Sequence, residues 1–138
     1  MEIRGLSDFE RRLLALAQKE LPREVPKIMR KMGSKARTHV ARKARRQVKK
    51  LTGNYHKGWK RGKVFKAKED EFVVRVYNSS PHAHLVEHGH IQKDKNGKEL
   101  GFVKGKHVLE ESMGEFESGE MEEMLDAWLD DLLESGKL

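Results

Sequence analysis

The chain has 138 residues, no cysteine, 36% hydrophobic residues and 37% charged ones. That length fits one domain with a modest core, and the absence of thiols excludes disulfides, thiolate metal sites and cysteine nucleophiles. The net charge of +7 is unevenly spread: residues 1–68 carry 22 Lys/Arg and 5 Asp/Glu, residues 69–138 carry 7 and 17, and no acid occurs from Val25 to Lys68.

In chain order, Ser7 and Glu10 have capping-box spacing and open a helix through Phe9, Leu13, Leu16, Ala17 and Leu21. Residues 1–22 form a helical extension in this reading. Pro22 and Pro26 then mark a new helix start. Val25, Ile28, Met29, Met32, Ala36, Val40, Ala44 and Val48 make one apolar stripe, which predicts a helix from about Glu24 to Lys50. Its other faces are basic. Gly33 in its middle predicts a bend or a close approach. Thr52-Gly53-Asn54 should stop this helix, with glycine as the left-handed cap.

From Trp59 to Lys68 the pattern turns to strand. After a turn at Glu69-Asp70, Phe72, Val74 and Val76 alternate with Val73, Arg75 and Tyr77, so the two segments predict a hairpin. Ser80-Pro81 opens a short helix through His88, with Gly89 as its stop. Gln92–Gly101 is polar around Asn96-Gly97 and reads as a projecting hairpin or a flexible loop. Gly101–Lys104 reads as a short strand. A C-terminal helical region begins near Lys106, with Met121, Met124, Leu125, Trp128, Leu129 and Leu132 facing one side and acids the other. The order predicts a single α+β domain over 1–138, with long N-terminal helices on a small antiparallel sheet and a C-terminal helix.

No apolar run reaches the roughly 20 residues of a membrane span, and Met1-Glu2-Ile3-Arg4 lacks the apolar stretch of a signal peptide. A cytoplasmic origin and no membrane partner are expected. The sequence has no P-loop, nucleophile elbow or Rossmann glycine pattern.

Five of the seven histidines lie between His82 and His107, and His84-Leu85-Val86-Glu87-His88 spells H-x-x-E-H. On a helix, His84 and His88 could share zinc while Glu87 activates water. A catalytic zinc needs a third protein ligand, and no downstream residue stands out as one. The competing reading anchors the short helix through Ala83, Leu85 and Val86 and leaves the histidines outside. No cofactor is expected.

The basic helix supports two further readings. Arg42, Lys43, Arg45, Arg46, Lys49 and Lys50 could contact nucleic-acid phosphates, with Tyr55 and Trp59 as stacking rings. Alternatively, a basic face of one copy meets an acidic face of the next and builds a ring.

Three blocks then carry a resemblance. They are Thr52-Gly53-Asn54-Tyr55 with Gly58-Trp59; Val76-Tyr77-Asn78 with Ala83-His84-Leu85-Val86-Glu87-His88-Gly89; and Gly105-Lys106-His107-Val108-Leu109. Together they resemble the tail-component family of long-tailed phages and defective prophages, the small head–tail joining or tail-completion proteins, over about residues 24–135. Family members carry a T-G-N-L-like turn and a Y-A-x-x-V-E-x-G-T-like segment. Thr52, Gly53 and Asn54 match the first, and Tyr55 stands where an aliphatic residue is common. Ala83, Val86, Glu87 and Gly89 match the second, with His82 and His90 replacing the usual aromatic and threonine. Trp59 and Tyr77 belong to the same blocks.

The resemblance implies a non-enzymatic virion protein of the tail or neck, assembled in the bacterial cytoplasm. Its expected partners are further copies of itself in a ring and neighbouring head–tail connector or tail proteins, with DNA nearby. It also makes Glu87 and Gly89 fold positions rather than parts of a zinc site.

Overall fold

A computed structural model describes residues 2–3, 21, 23–49, 53–68 and 71–136. The helix expected after Ser7, the turn at Glu69-Asp70, and Lys50 and Thr52 lie outside the described residues. The elements are β1 (Glu2–Ile3), α1 (Glu24–Gln47), α2 (Asn54–Lys57), β2 (Trp59–Arg61), β3 (Phe65–Lys68) and β4 (Glu71–Asn78), followed by α3 (Ala83–His88), β5 (Gly89–Lys93), β6 (Glu99–Lys104), α4 (Val108–Ser118) and α5 (Glu120–Glu134). The architecture mixes helices with two small antiparallel sheets.

Helix α1 is central. One side lies on β2 and β4, and another packs on α4 and α5. Its predicted stripe is the buried face: Val25, Met29, Met32, Ala36, Val40 and Ala44 are each at most 2% exposed. Each fully buried valine or methionine on this face contributes roughly 1.5–3 kcal/mol. Gly33 marks a close approach to the sheet. A Cβ there would lie 2.9 Å from Val74 Cγ2 and 3.0 Å from Arg61 Cδ. Arg37 Nε donates to the Trp59 carbonyl at 2.9 Å, tying the helix to β2.

The helix ends sooner than its apolar spacing predicts. Val48 is already extended, at φ −116° and ψ 124°. Gly53, left-handed at φ 89°, begins α2 rather than ending α1.

Strand β4 organises the main sheet. β1 pairs with Val74 and Arg75, β2 with Val76–Asn78, and β3 with Glu71–Val73, all antiparallel. The pairing of Glu2 and Ile3 is a strand that sequence pattern missed, because two residues carry no periodicity. The strand expected over Trp59–Lys68 is interrupted at 62–64, giving β2 and β3. Alternation in β4 is also incomplete. Val74 and Val76 are fully buried, but so is Val73 on the opposite face.

The polar stretch after His88 is a two-stranded hairpin, not a loop. Ile91 pairs with Phe102 and His90 with Val103. Asp94 shapes its tip, its Oδ1 accepting the Asn96 and Lys98 amides at 2.9 Å each. The C-terminal helix is two helices, broken at Gly119.

Candidate functional site

The sequence blocks converge in space. In the first contact, α2 delivers Tyr55 edge-on to Trp59, with ring centroids 5.5 Å apart. Asn78 clamps the turn from β4: its Nδ2 donates to the Tyr55 carbonyl at 2.8 Å, and its Oδ1 accepts the Ser80 amide at 2.8 Å. The Ser79 amide donates to the Gly58 carbonyl at 2.8 Å. Gly58 has no room for a side chain because Asn78 Oδ1 occupies that space. Trp59 is 3% exposed and belongs to the core, so it is no stacking platform. Tyr77 is 47% exposed on the neighbouring strand.

Burial first, and the negative field of Glu87 second, push the Tyr55 phenol up to about 12. The folded state therefore holds the proton more tightly than the unfolded chain. This contribution to stability is complete below pH 10, the ordinary tyrosine value, and is lost as pH rises towards 12. A near-ultraviolet tyrosinate titration should show a component near 12 that Tyr55→Phe removes. The Tyr55 hydroxyl is buried with no hydrogen-bond partner among the described residues. The same substitution should therefore be neutral, or stabilising by up to about 1 kcal/mol in denaturant melts.

The second and third blocks meet as a clasp. The last carbonyls of α3 need donors, and the first amides of α4 need acceptors. The Lys106 amide donates to the Val86 carbonyl at 2.8 Å, and the His107 amide to the Glu87 carbonyl at 3.1 Å. In return, the Leu109 and Glu110 amides donate to Glu87 Oε1 and Oε2 at 2.8 and 3.1 Å. One residue thus closes the end of one helix and the start of another, 22 residues on. The carboxylate also complements the positive end of the α4 dipole.

Two glycines let the chains cross at this clasp. Gly89 has φ 86° and ψ 173°, a region essentially restricted to glycine. A Cβ on it would lie 2.5 Å from the Val103 oxygen and 2.7 Å from the Gly105 nitrogen. A Cβ on Gly105 would run into the backbone of Glu87, His88 and Gly89. Ala83 and Val86 are half-buried.

This geometry reassigns the H-x-x-E-H string. Both oxygens of Glu87 accept backbone amides, which gives this carboxylate a structural role independent of any metal. His84 and His88 are exposed. Among the described residues, the group that brings potential metal-ligand atoms together, within 4.8 Å, is instead Glu87, His107 and Glu110. It sits at a helix N-terminus, where the dipole opposes a cation. His107 is left-handed at φ 49°, the only described non-glycine residue with positive φ.

Lys43 also departs from its expected role. Its side chain is buried and donates to Glu115 Oε1, with Glu111 Oε2 at 3.3 Å. His39 Nε2 lies 3.0 Å from Glu115 Oε2. Basic α1 therefore meets acidic α4 within one chain. The Lys43 and His39 hydrogen bonds hold the Glu115 carboxyl below its usual 4.5, and the Glu115 hydrogen bond raises Lys43 above its usual 10.5. The depressed acid stabilises above pH 4.5 and loses its effect as pH falls through the lower folded value. The raised amine stabilises below 10.5 and loses its effect as pH rises through the higher one. Melting temperatures measured across pH should fall at both ends, and Glu115→Gln should flatten the acid limb.

Arg45, Arg46 and Lys49 remain clustered. With His56, Lys57 and Gly53 they line an open groove of about 700 Å³ between the end of α1 and α2, with no carboxylate among its described lining residues. Arg42 lies beside it, next to His39 and the same two arginines. Among the described residues, no helix is long and apolar enough to cross a membrane.

No curated protein and no solved structure matches the chain. The family described as "Bacteriophage HK97-gp10, putative tail-component" matches residues 7–89. The match starts earlier than the motif resemblance and ends at Gly89, leaving the Gly105–Leu109 block and the C-terminal helices outside it. It includes both the T-G-N turn and the Ala83–Gly89 segment that ends in the clasp. This chain belongs to that bacteriophage tail-component family.

Proposed function

We propose that this protein is a non-enzymatic structural component of a phage or prophage virion. It joins head to tail or completes the tail by assembling into a ring with neighbouring virion proteins. The observation that carries this reading is the family match across 7–89. The divided charge supports assembly, since the surplus of basic charge in the first half and of acid in the second favours head-to-tail contacts between copies. The whole of 1–138 acts as one domain in this reading, in the virion neck or tail after assembly in the host cytoplasm. The engaged carboxylate of Glu87 supports a structural role over the zinc-hydrolase alternative. Deleting the gene from a functional phage and imaging the lysate tests the proposal. Separate heads and tails are expected, and normally joined virions would overturn it.

The basic groove, with no carboxylate among its described lining residues, favours one second reading, contact with a nucleic-acid backbone through Arg42, Arg45, Arg46 and Lys49. Binding of this kind weakens steeply between low and physiological salt. If Arg45→Glu with Arg46→Glu leaves duplex affinity unchanged, this reading fails.

A further inference from the structure

The β5–β6 hairpin presents an apolar face that its own strands leave open. Ile91 and Phe102 are direct cross-strand partners, and Leu100 lies two positions before Phe102 on the same strand, at the register shift between Gln92 and Lys93. They are 52, 66 and 59% exposed. An isolated two-stranded ribbon is marginally stable in water, and one with large apolar side chains facing solvent calls for a partner. Residues 89–106 carry five lysines against two acids.

A complementary surface lies elsewhere on the same chain. Helix α5 carries seven carboxylates and no Lys or Arg. None of those carboxylates, and none of the hairpin lysines, forms an ion pair among the described residues. Between α5 and the first turns of α1 runs a groove of about 480 Å³. Ile28, Met124, Ala127 and Trp128 supply its apolar lining, beside Asp131, Glu24, Lys27 and Lys31. Lys27 in its wall is already paired with Glu24, at 3.7 Å.

Hairpin and groove sit towards opposite ends of α1. The hairpin springs from the clasp at the start of α4, and α4 meets α1 at His39 and Lys43. The groove uses Ile28, about 22 Å earlier at 1.5 Å per residue. We infer that the hairpin of one copy docks its Ile91–Leu100–Phe102 face into the α1–α5 groove of a second copy, with its lysines on the acidic α5. Two different patches joined this way make a heterologous contact that propagates from copy to copy and closes into a ring when the rotation allows. The inference rests on the ring-assembly reading and names the surfaces that would build it.

The absence of cysteine makes the test direct. Phe102→Cys and Ala127→Cys proteins are mixed and oxidised, with Ser118→Cys replacing Ala127→Cys as the control partner. Disulfide between the first two, exceeding that of the control mixture, is expected. Equal or absent crosslinking overturns the inference. In parallel, Phe102→Asp and Ile91→Asp should each weaken self-association about tenfold or more by sedimentation, the effect of losing a central apolar anchor. Unchanged association by both variants also overturns it. Phage carrying Phe102→Asp that still yields joined virions would remove the docking surface alone. Normal virions without the gene would remove the tail role itself.

Discussion

Gly89→Ala is expected to destabilise the fold by about 3 kcal/mol or more, combining a glycine-only backbone region with backbone overlap. The added methyl would meet the Val103 oxygen and the Gly105 nitrogen, which cannot swing aside as a side-chain tip can. Gly105→Ala should behave alike, since it strikes the same crossing from the other chain segment. Gly97→Ala is the internal control. Its φ is also positive, at 81°, but nothing lies within 4 Å of the added atom. Left-handed strain alone should cost it about 1–2 kcal/mol. Urea denaturation midpoints for the three variants separate strain from overlap, and equal losses would refute the crossing.

Glu87→Ala should cost about 2–3 kcal/mol, because two helix-start amides lose a charged acceptor. For a domain of this size that lowers the melting temperature by about 8–10 °C. Glu87→Gln keeps one acceptor oxygen and should lose about half as much. Hydrogen exchange should quicken first at the Leu109 and Glu110 amides, which face the carboxylate. A glutamate kept for chemistry would show the reverse pattern, with stability indifferent to both substitutions.

Helix α1 was legible because its apolar stripe spans many turns, and the stripe is the buried face. The strand character of Phe72–Val76 was legible for the same reason. The helix end was not: Val48 continues the stripe, yet the chain turns extended there to bring Gly53 to the start of α2. Sequence pattern does not separate the hairpin after His88 from a loop, because its residues are polar and its order comes from Asp94 and from the clasp at its root. The letters Glu87 and Gly89 stand out in the sequence only as part of a motif, whereas their contacts are with residues 103–110, which spacing alone cannot place beside them. Lys43 could not be told from its basic neighbours, since only packing shows that α4 brings Glu111 and Glu115 to it.

The clasp also bears on how this domain can diverge. Gly89 and Gly105 pin both feet of the hairpin, so its length is uncoupled from the core. Residues inserted at Asn96-Gly97 extend a segment whose ends are already held. By loop-closure entropy, each doubling of such a segment costs only about 0.6 kcal/mol. The reach of this arm is therefore the dimension along which the chain can change most freely while the body of the domain stays the same.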